Sequence, residues 1–195
     1  MLVCGIDEVG RGALAGPLIA VAALFDSSAS YQLEFSPIPG LNDSKKLTVK
    51  KRRRLFHEIL RYECLVDFGV GETSVQEIDK FGINWANNIA FKRAIFDLKK
   101  MPEYILIDGI NLIKGFDVPM NQICMPQADG KLWPVAAASI LAKTIRDDYM
   151  AELGSSYPEY KWDSNAGYGS AAHKAALKEK GACGLHRAKF VEGLL

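Results

Sequence analysis

The residues best suited to chemistry in this chain are carboxylates that follow apolar runs. Asp7 and Glu8 stand side by side after Leu2–Ile6, and Asp108 directly follows Tyr104-Ile-Leu-Ile107. Asp129 lies in the polar stretch Gln127-Ala-Asp-Gly-Lys131. Acids at the mouth of a buried strand are costly unless a cation or hydrogen bonds compensate them. Oxygen ligands of this kind suit a hard divalent cation such as Mg²⁺, with water or substrate phosphate completing its shell. Two such ions about 3.5–4 Å apart can clamp the attacking and leaving oxygens of a phosphodiester hydrolysis. His57, His173 and His186 are too dispersed to suggest a zinc triad. A plainer reading fits the same residues: Asp7 as a turn cap, Glu8 solvated, and Asp108-Gly109 a simple turn. Both readings stand on spacing alone.

The elements that must position these acids follow from apolar patterning. Leu2–Ile6 reads as a strand, and Gly10-Arg-Gly12 with Gly16 as a loop whose glycines permit turns closed to other residues. Pro17–Phe25 reads as a second strand paired back on the first. Residues 26–42 form a surface loop rich in Ser and Pro. Thr48 is an N-cap for a helix through about Arg61, with Leu55, Phe56, Ile59 and Leu60 inward and Lys50–Arg54 mainly outward. Cys64–Gly71 is a third strand. Thr73 or Ser74 caps a short helix holding Ile78, and an amphipathic helix runs from about Asn84 to Lys99. Tyr104–Ile107 and Gln122–Met125 complete five strands. Val135–Leu153 is the best helical pattern, and short helices are expected near 171–180 and 187–194.

This order predicts an α/β sheet with an antiparallel front and a parallel continuation. Ligands of such sheets gather at strand ends near a topological switch. If the strands ending at Asp7 and Asp108 are parallel neighbours, their carboxylates converge. Gly10-x-Gly12-x-x-x-Gly16 also loosely matches a dinucleotide-binding loop. That loop should open a helix, whereas Gly16-Pro17 and the following apolar run lead into a strand.

Bulk properties bound the partners. The chain has 195 residues, 49% of them hydrophobic and 24% charged, which suits one well-packed soluble domain. A net charge of +1 favours no partner globally, so nucleic-acid binding would rest on local basic patches. Cys4, Cys64, Cys124 and Cys183 have no paired spacing and read as reduced, mostly buried thiols. No apolar run approaches the roughly 20 residues that span a bilayer, and the apolar start meets acids too soon for a signal peptide. The expectation is a cytoplasmic monomer without membrane contact.

Taken together, several motifs closely resemble ribonuclease HII, the bacterial type 2 ribonuclease H. They are Gly5-Ile-Asp-Glu-Val-Gly-Arg-Gly12 with Gly16-Pro17, Asn42-Asp-Ser-Lys-Lys-Leu47, Ile107-Asp-Gly109, Ala128-Asp129 with Lys131, Ala136–Lys143 with Arg146-Asp147, Gly167-Tyr168 with His173, and His186-Arg187. The resemblance spans almost the whole chain. It implies a ribonuclease H-like mixed five-stranded sheet flanked by helices over residues 1–155, with a small helical extension over 156–195. It also implies endonucleolytic hydrolysis of RNA in RNA–DNA hybrids and incision at ribonucleotides embedded in duplex DNA, leaving 3′-hydroxyl and 5′-phosphate ends with Mg²⁺ or Mn²⁺. Carried over by position, the metal-binding acids are Asp7, Glu8, Asp108 and Asp129. Asp129 is preferred to Asp147 and Asp148 because it precedes the Ala-Ala-Ala-Ser-Ile helix, while Asp147 is expected to pair with neighbouring Lys143 or Arg146. The resemblance assigns Gly10-Arg11-Gly12 to the 2′-hydroxyl, the group that separates RNA from DNA, and Tyr168 to the ribonucleotide–DNA junction. Arg11 reads as a phosphate or sugar contact, or alternatively as a neutraliser of Asp7 or Glu8. Lys45, Lys46, Lys143 and Arg146 read as backbone-phosphate contacts, which position a duplex without reading its sequence. Ser139 and Asn84 are expected in packing or supporting hydrogen bonds, while His173 and His186 touch the site or cap helices. Gln127 stands where many relatives carry lysine, and no aromatic-rich clamp-binding peptide is visible near Leu195. Type 3 relatives share the acids but lack the Gly-Arg-Gly loop, so type 2 is the better match.

Overall fold

A computed structural model describes residues 1–26, 33–116 and 121–195 of the chain. Residues 27–32 of the predicted 26–42 loop lie outside the described part. The five strands are β1 (Leu2–Val9), β2 (Leu18–Asp26), β3 (Leu65–Thr73), β4 (Tyr104–Asp108) and β5 (Asn121–Met125). They form one sheet in the order β3-β2-β1-β4-β5. Strands β1 and β2 are antiparallel, as are β2 and β3, whereas β4 runs parallel to β1 and β5 parallel to β4. The antiparallel front and parallel continuation are therefore as predicted.

The helices are α1 (Val49–Leu60), α2 (Val75–Phe81), α3 (Ile83–Phe96), α4 (Trp133–Ser156), α5 (Trp162–Asn165), α6 (Ala171–Lys180) and α7 (Ala188–Val191). Thr48 caps α1 through its hydroxyl, and Ser74 with Glu77 forms a reciprocal capping box on α2. Pro134 opens α4, where its missing N–H costs nothing. Two short turns, Pro158–Tyr160 and α5, are additions that the patterning did not indicate.

Strand alternation sorts the core into two layers. Cys4, Ile6, Ala20, Ala22 and Leu24 face α2 and α3, while Ile19, Val21, Ala23 and Phe25 face α1 and α4. Every residue from Leu18 to Phe25 is buried, which is why β2 reads as a continuous apolar run. Helix α4 lies so close to β1 that a Cβ on Gly5 would sit 2.1 Å from the Pro134 carbonyl. The C-terminal elements build a smaller cluster around Tyr160, Trp162 and Leu177, against Ala15 and Met150.

Two local expectations need correction. Strand β1 runs on to Val9, so Asp7 and Glu8 belong to the strand rather than to the loop after it. On α1, Arg52 turns inward from the otherwise outward Lys50–Arg54 run, while Leu60 is exposed. The Arg52 guanidinium donates to the Ser44 carbonyl at 3.1 Å and pairs with Asp147 at 3.1 Å, which tethers α1 to α4. All four cysteines are free thiols, but only Cys4 is fully buried. No helix among the described residues is long and apolar enough to cross a membrane.

Candidate active site

The parallel pairing of β1 with β4 ends at Ile6 beside Ile107, so the next residues, Asp7 within β1 and Asp108 at the end of β4, stand side by side where the two strands part. Asp7 is only 6% exposed and accepts a hydrogen bond from the Glu8 amide at 2.8 Å. It also accepts from the Ser139 hydroxyl of α4, whose oxygen lies 2.9 Å from that of Ser44. With Asp7 ionised, Ser139 donates to it and Ser44 donates to Ser139. Asp108 accepts from the Ala128 amide at 2.8 Å, which fastens the 3-10 turn Ala128–Gly130 to the end of β4. That turn carries Asp129, itself buried, with the Asp43 carboxyl close enough to raise its pKa.

These acids share one electrostatic neighbourhood. Burial pushes the Asp7 carboxyl well above the usual carboxylate range, and the charges of Glu8 and Asp108 push it further. Burial also raises Glu8, against the pull of Arg11, and raises Asp129, with Asp108 and Asp43 adding to the rise. Lys45 answers this field. Burial lowers its pKa, but Asp7, Asp129, Asp43 and Asp108 outweigh that and hold the ammonium charged. A 260 Å³ cavity holds Asp7, Glu8, Lys143 and Tyr168, and a 390 Å³ cavity holds Asp108, Asp129, Lys46 and Lys131. Lys45 lines both, so it stands at their junction.

Among the described residues, no three acidic, histidine or cysteine side chains close on a single point. The donor set nonetheless fits a hard divalent cation. It is all oxygen, it is mutually repulsive, and it opens on cavities where water or a phosphate can complete a shell.

The loop after β1 is built with comparable care. Gly10 holds φ +92°, and its amide donates to the Tyr168 hydroxyl at 3.1 Å. Lys143 lies 5.3 Å from the Tyr168 ring centre and pairs with Asp147 at 2.7 Å. Apart from its own residue and its two chain neighbours, no described residue comes within 4 Å of where a Gly12 Cβ would stand.

The sequence profile of the ribonuclease HII family matches residues 4–192. A ribonuclease HII of Dechloromonas aromatica is 46% identical over 97% of this chain and 90% of its own length. That of Syntrophotalea carbinolica is 41% identical over 96% of this chain and 84% of its own. The chain belongs to the ribonuclease HII family. The crystal structure of ribonuclease H2 from Pyrococcus horikoshii superposes with a TM-score of 0.81 at 29% identity, covering 100% of this chain and 97% of that one. Members of the ribonuclease HII family are metal-dependent endoribonucleases, and this chain is one of them.

Within that family framework, the structure draws together Asp7, Glu8, Asp108, Asp129, Lys45, Lys143 and Tyr168, with Lys46 on the adjoining rim. Arg11 does in this structure what its alternative reading foresaw, lying 3.7 Å from Glu8 and donating to Asn84 at 2.7 Å. Arg146 is a correction. It is fully buried and donates to the carbonyls of Pro17, Ala166 and Ala15 at 2.8–3.1 Å, so its guanidinium has no face for a phosphate. Asp147 pairs with Lys143 as expected, but its second partner is Arg52 rather than Arg146.

His173 and His186 lie apart from the acids, in the cluster under Tyr168. The His173 Nδ1 donates to the Tyr168 carbonyl at 2.9 Å, leaving Nε2 to accept from Trp162 at 3.2 Å and from His186 at 3.0 Å. The His186 Nδ1 accepts the Cys183 amide at 3.0 Å, so its proton sits on Nε2. Both rings are thus satisfied while neutral, and burial lowers both pKa values, that of His186 to about 4 with help from His173. Asp43, Ser44, Lys131 and Arg187 are site neighbours that residue typing missed. Arg187, fully buried, donates to the carbonyls of Gly16 and Arg11. Only the motifs holding these residues signalled them, since their roles depend on contacts far away in sequence.

Proposed function

We propose that this chain hydrolyses the RNA strand of RNA–DNA hybrids and incises duplex DNA on the 5′ side of embedded ribonucleotides, leaving 3′-hydroxyl and 5′-phosphate ends. The observation that carries this reading is the placement of four carboxylates at the ends of β1, β4 and the 128–130 turn, beside the Gly10-Arg11-Gly12 loop and Tyr168. Asp7, Glu8, Asp108 and Asp129 would hold two Mg²⁺ or Mn²⁺ ions, which supply a deprotonated water and stabilise the leaving oxygen. Ser139 and the Glu8 amide orient Asp7, and the Ala128 amide orients Asp108, so the ligands are aimed before substrate arrives. Lys45 offers a cation to the backbone phosphate between the two cavities, and Lys46 and Lys143 extend that track. The open space at Gly12 lets a ribose approach the backbone, where the 2′-hydroxyl is the group to be tested. The Tyr168 ring, backed by Lys143 and fixed through its hydroxyl to Gly10, can rest on the sugar of the next nucleotide.

A hybrid-binding module without catalysis is disfavoured, because four clustered acids repel a phosphate backbone. A type 3 activity restricted to longer hybrids is disfavoured by the Gly-Arg-Gly loop. The deciding assay incubates the protein with a duplex carrying one ribonucleotide and with a long hybrid, each with and without Mg²⁺. Metal-dependent incision 5′ of the lone ribonucleotide is expected. Cleavage of the long hybrid alone would favour type 3, and no cleavage with either Mg²⁺ or Mn²⁺ would overturn the reading.

A further inference from the structure

The crevice at the ends of β1 and β4 has a second side. Strand alternation sends Asp7 toward α4, while Glu8 pairs with Arg11, whose guanidinium reaches Asn84 on α3. Beyond Arg11 lies a 440 Å³ pocket between α3 and the segment that follows β4. Its polar lining is dominated by amides: Asn84, Asn87, Asn88 and Asn111, with Trp85 on the same wall and Lys114 on the other.

This pocket is constructed, not a gap between loops. Residues 111–115 pair with no strand, yet side chains grip their backbone. Asn88 accepts from the Lys114 amide at 2.7 Å and donates to its carbonyl at 3.2 Å. Gln122 does the same for Ile113, at 2.8 and 3.1 Å, and Lys92 donates to the Gly115 carbonyl at 2.6 Å. Trp85 remains 37% exposed and packs on Phe81 with ring centres 4.4 Å apart, so an aromatic surface is already assembled at the rim.

We infer that this pocket binds one unpaired nucleotide of a nucleic-acid strand that continues past Arg11 from the acidic cleft. Every nucleobase carries an N–H donor for the exposed Asn111 amide and a flat face for Trp85, and Arg11 and Lys114 supply cations for its phosphates. The volume suits a single unstacked nucleotide, whereas a duplex keeps its bases inside the stack. The inference rests on the proposed nuclease reading only for the direction from which the strand arrives.

The test uses intrinsic fluorescence of the full-length protein, titrated in EDTA with a single-stranded trinucleotide. Trp133 and Trp162 are 4% and 0% exposed, so base stacking quenches Trp85 alone. Saturable quenching is expected, absent in Trp85→Phe and weakened several-fold in Asn111→Ala, an exposed position that leaves folding intact. Lys114→Ala should reduce the salt dependence of binding by about one phosphate contact. Absence of quenching, or quenching that survives in Trp85→Phe, would overturn the inference. Incision of a fully paired duplex with one ribonucleotide is measured in parallel. Its loss in the unmutated protein would refute the nuclease reading, while the titration judges the pocket independently.

Discussion

Replacing Arg146 by methionine separates two roles that the sequence alone could not distinguish. The side chain is fully buried, and three N–H groups donate to the carbonyls of Pro17, Ala166 and Ala15. Hydrogen bonds to a charged group contribute about 1.5–3 kcal/mol each, and carbonyls left without donors pay their own desolvation. Against this stands the cost of burying the guanidinium, visible in a pKa pulled below its usual value by burial. The net loss for Arg146→Met is therefore about 4 kcal/mol, a large share of the roughly 5–15 kcal/mol that stabilises a domain. At about 2–4 °C per kcal/mol for a chain of this size, Tm should fall by about 8–16 °C. Arg146→Lys should lose most of that too, since one ammonium cannot reach carbonyls from three separate segments. The assay is thermal unfolding by circular dichroism without substrate, paired with duplex affinity at several salt concentrations. A variant that unfolds like the parent but binds duplex with a salt slope shallower by one would refute this account and return Arg146 to the phosphate contacts.

Three further outcomes follow from the loop and from the buried histidines. Gly10→Ala should destabilise the fold by about 1–3 kcal/mol from its positive φ alone, before counting a Cβ placed 2.2 Å from the Arg146 Nε. Gly12→Ala meets no described residue within 4 Å beyond its chain neighbours, so Tm should stay within a degree or so while KM for a duplex with one ribonucleotide rises; unchanged KM would remove Gly12 from ribose recognition. The His186 pKa is lowered to about 4 in the fold, so its neutral form contributes stability that is complete above the unfolded value near 6.5 and is lost as pH falls toward 4. That loss totals about 3 kcal/mol, and equilibrium unfolding between pH 7 and pH 4 should show it, with a flatter profile in His186→Gln; an identical profile in the variant would refute the assignment.

The parts of this molecule that were legible in the sequence are those set by local pattern. The apolar runs gave all five strands, Thr48 marked one helix start and the Thr73-Ser74 pair another, and the convergence of Asp7 with Asp108 followed from strand order. The boundary of β1 was placed short because two acids in a row resemble a strand end, whereas the pairing of Asp7 with Val21 and Glu8 with Ala20 continues through them. Arginines were the main source of error. A basic side chain on a helix reads as solvated, yet Arg52 and Arg146 turn inward because carbonyls and carboxylates from other segments supply their acceptors. For Arg146 those acceptors include residues 129 and 131 positions away, and for Arg187 a residue 171 positions away. No periodicity encodes such partners. The neutral His173–His186 pair was equally hidden, since its reason for being neutral is Trp162 and Cys183.

Those hidden arginines bear on how the glycine loop would serve the ribose recognition proposed for it. Glycine confers freedom, and a free loop would lose entropy each time it ordered around a ribose. Here Arg146 and Arg187 donate five hydrogen bonds to the carbonyls of Arg11, Ala15, Gly16 and Pro17. Backbone bonds from Leu14 and Ala15 to Gly167, from Gly16 to Leu185 and from Arg187 to Leu14 add a second set of ties. Tyr168 completes them by accepting from Gly10. The glycines thus supply shape and access, while rigidity comes from α4 and from the residues after it. A site ordered in advance in this way places its first contacts before substrate binds. On the proposed reading, the C-terminal elements would support ribose recognition by holding this loop, although none of them contributes one of the four clustered acids.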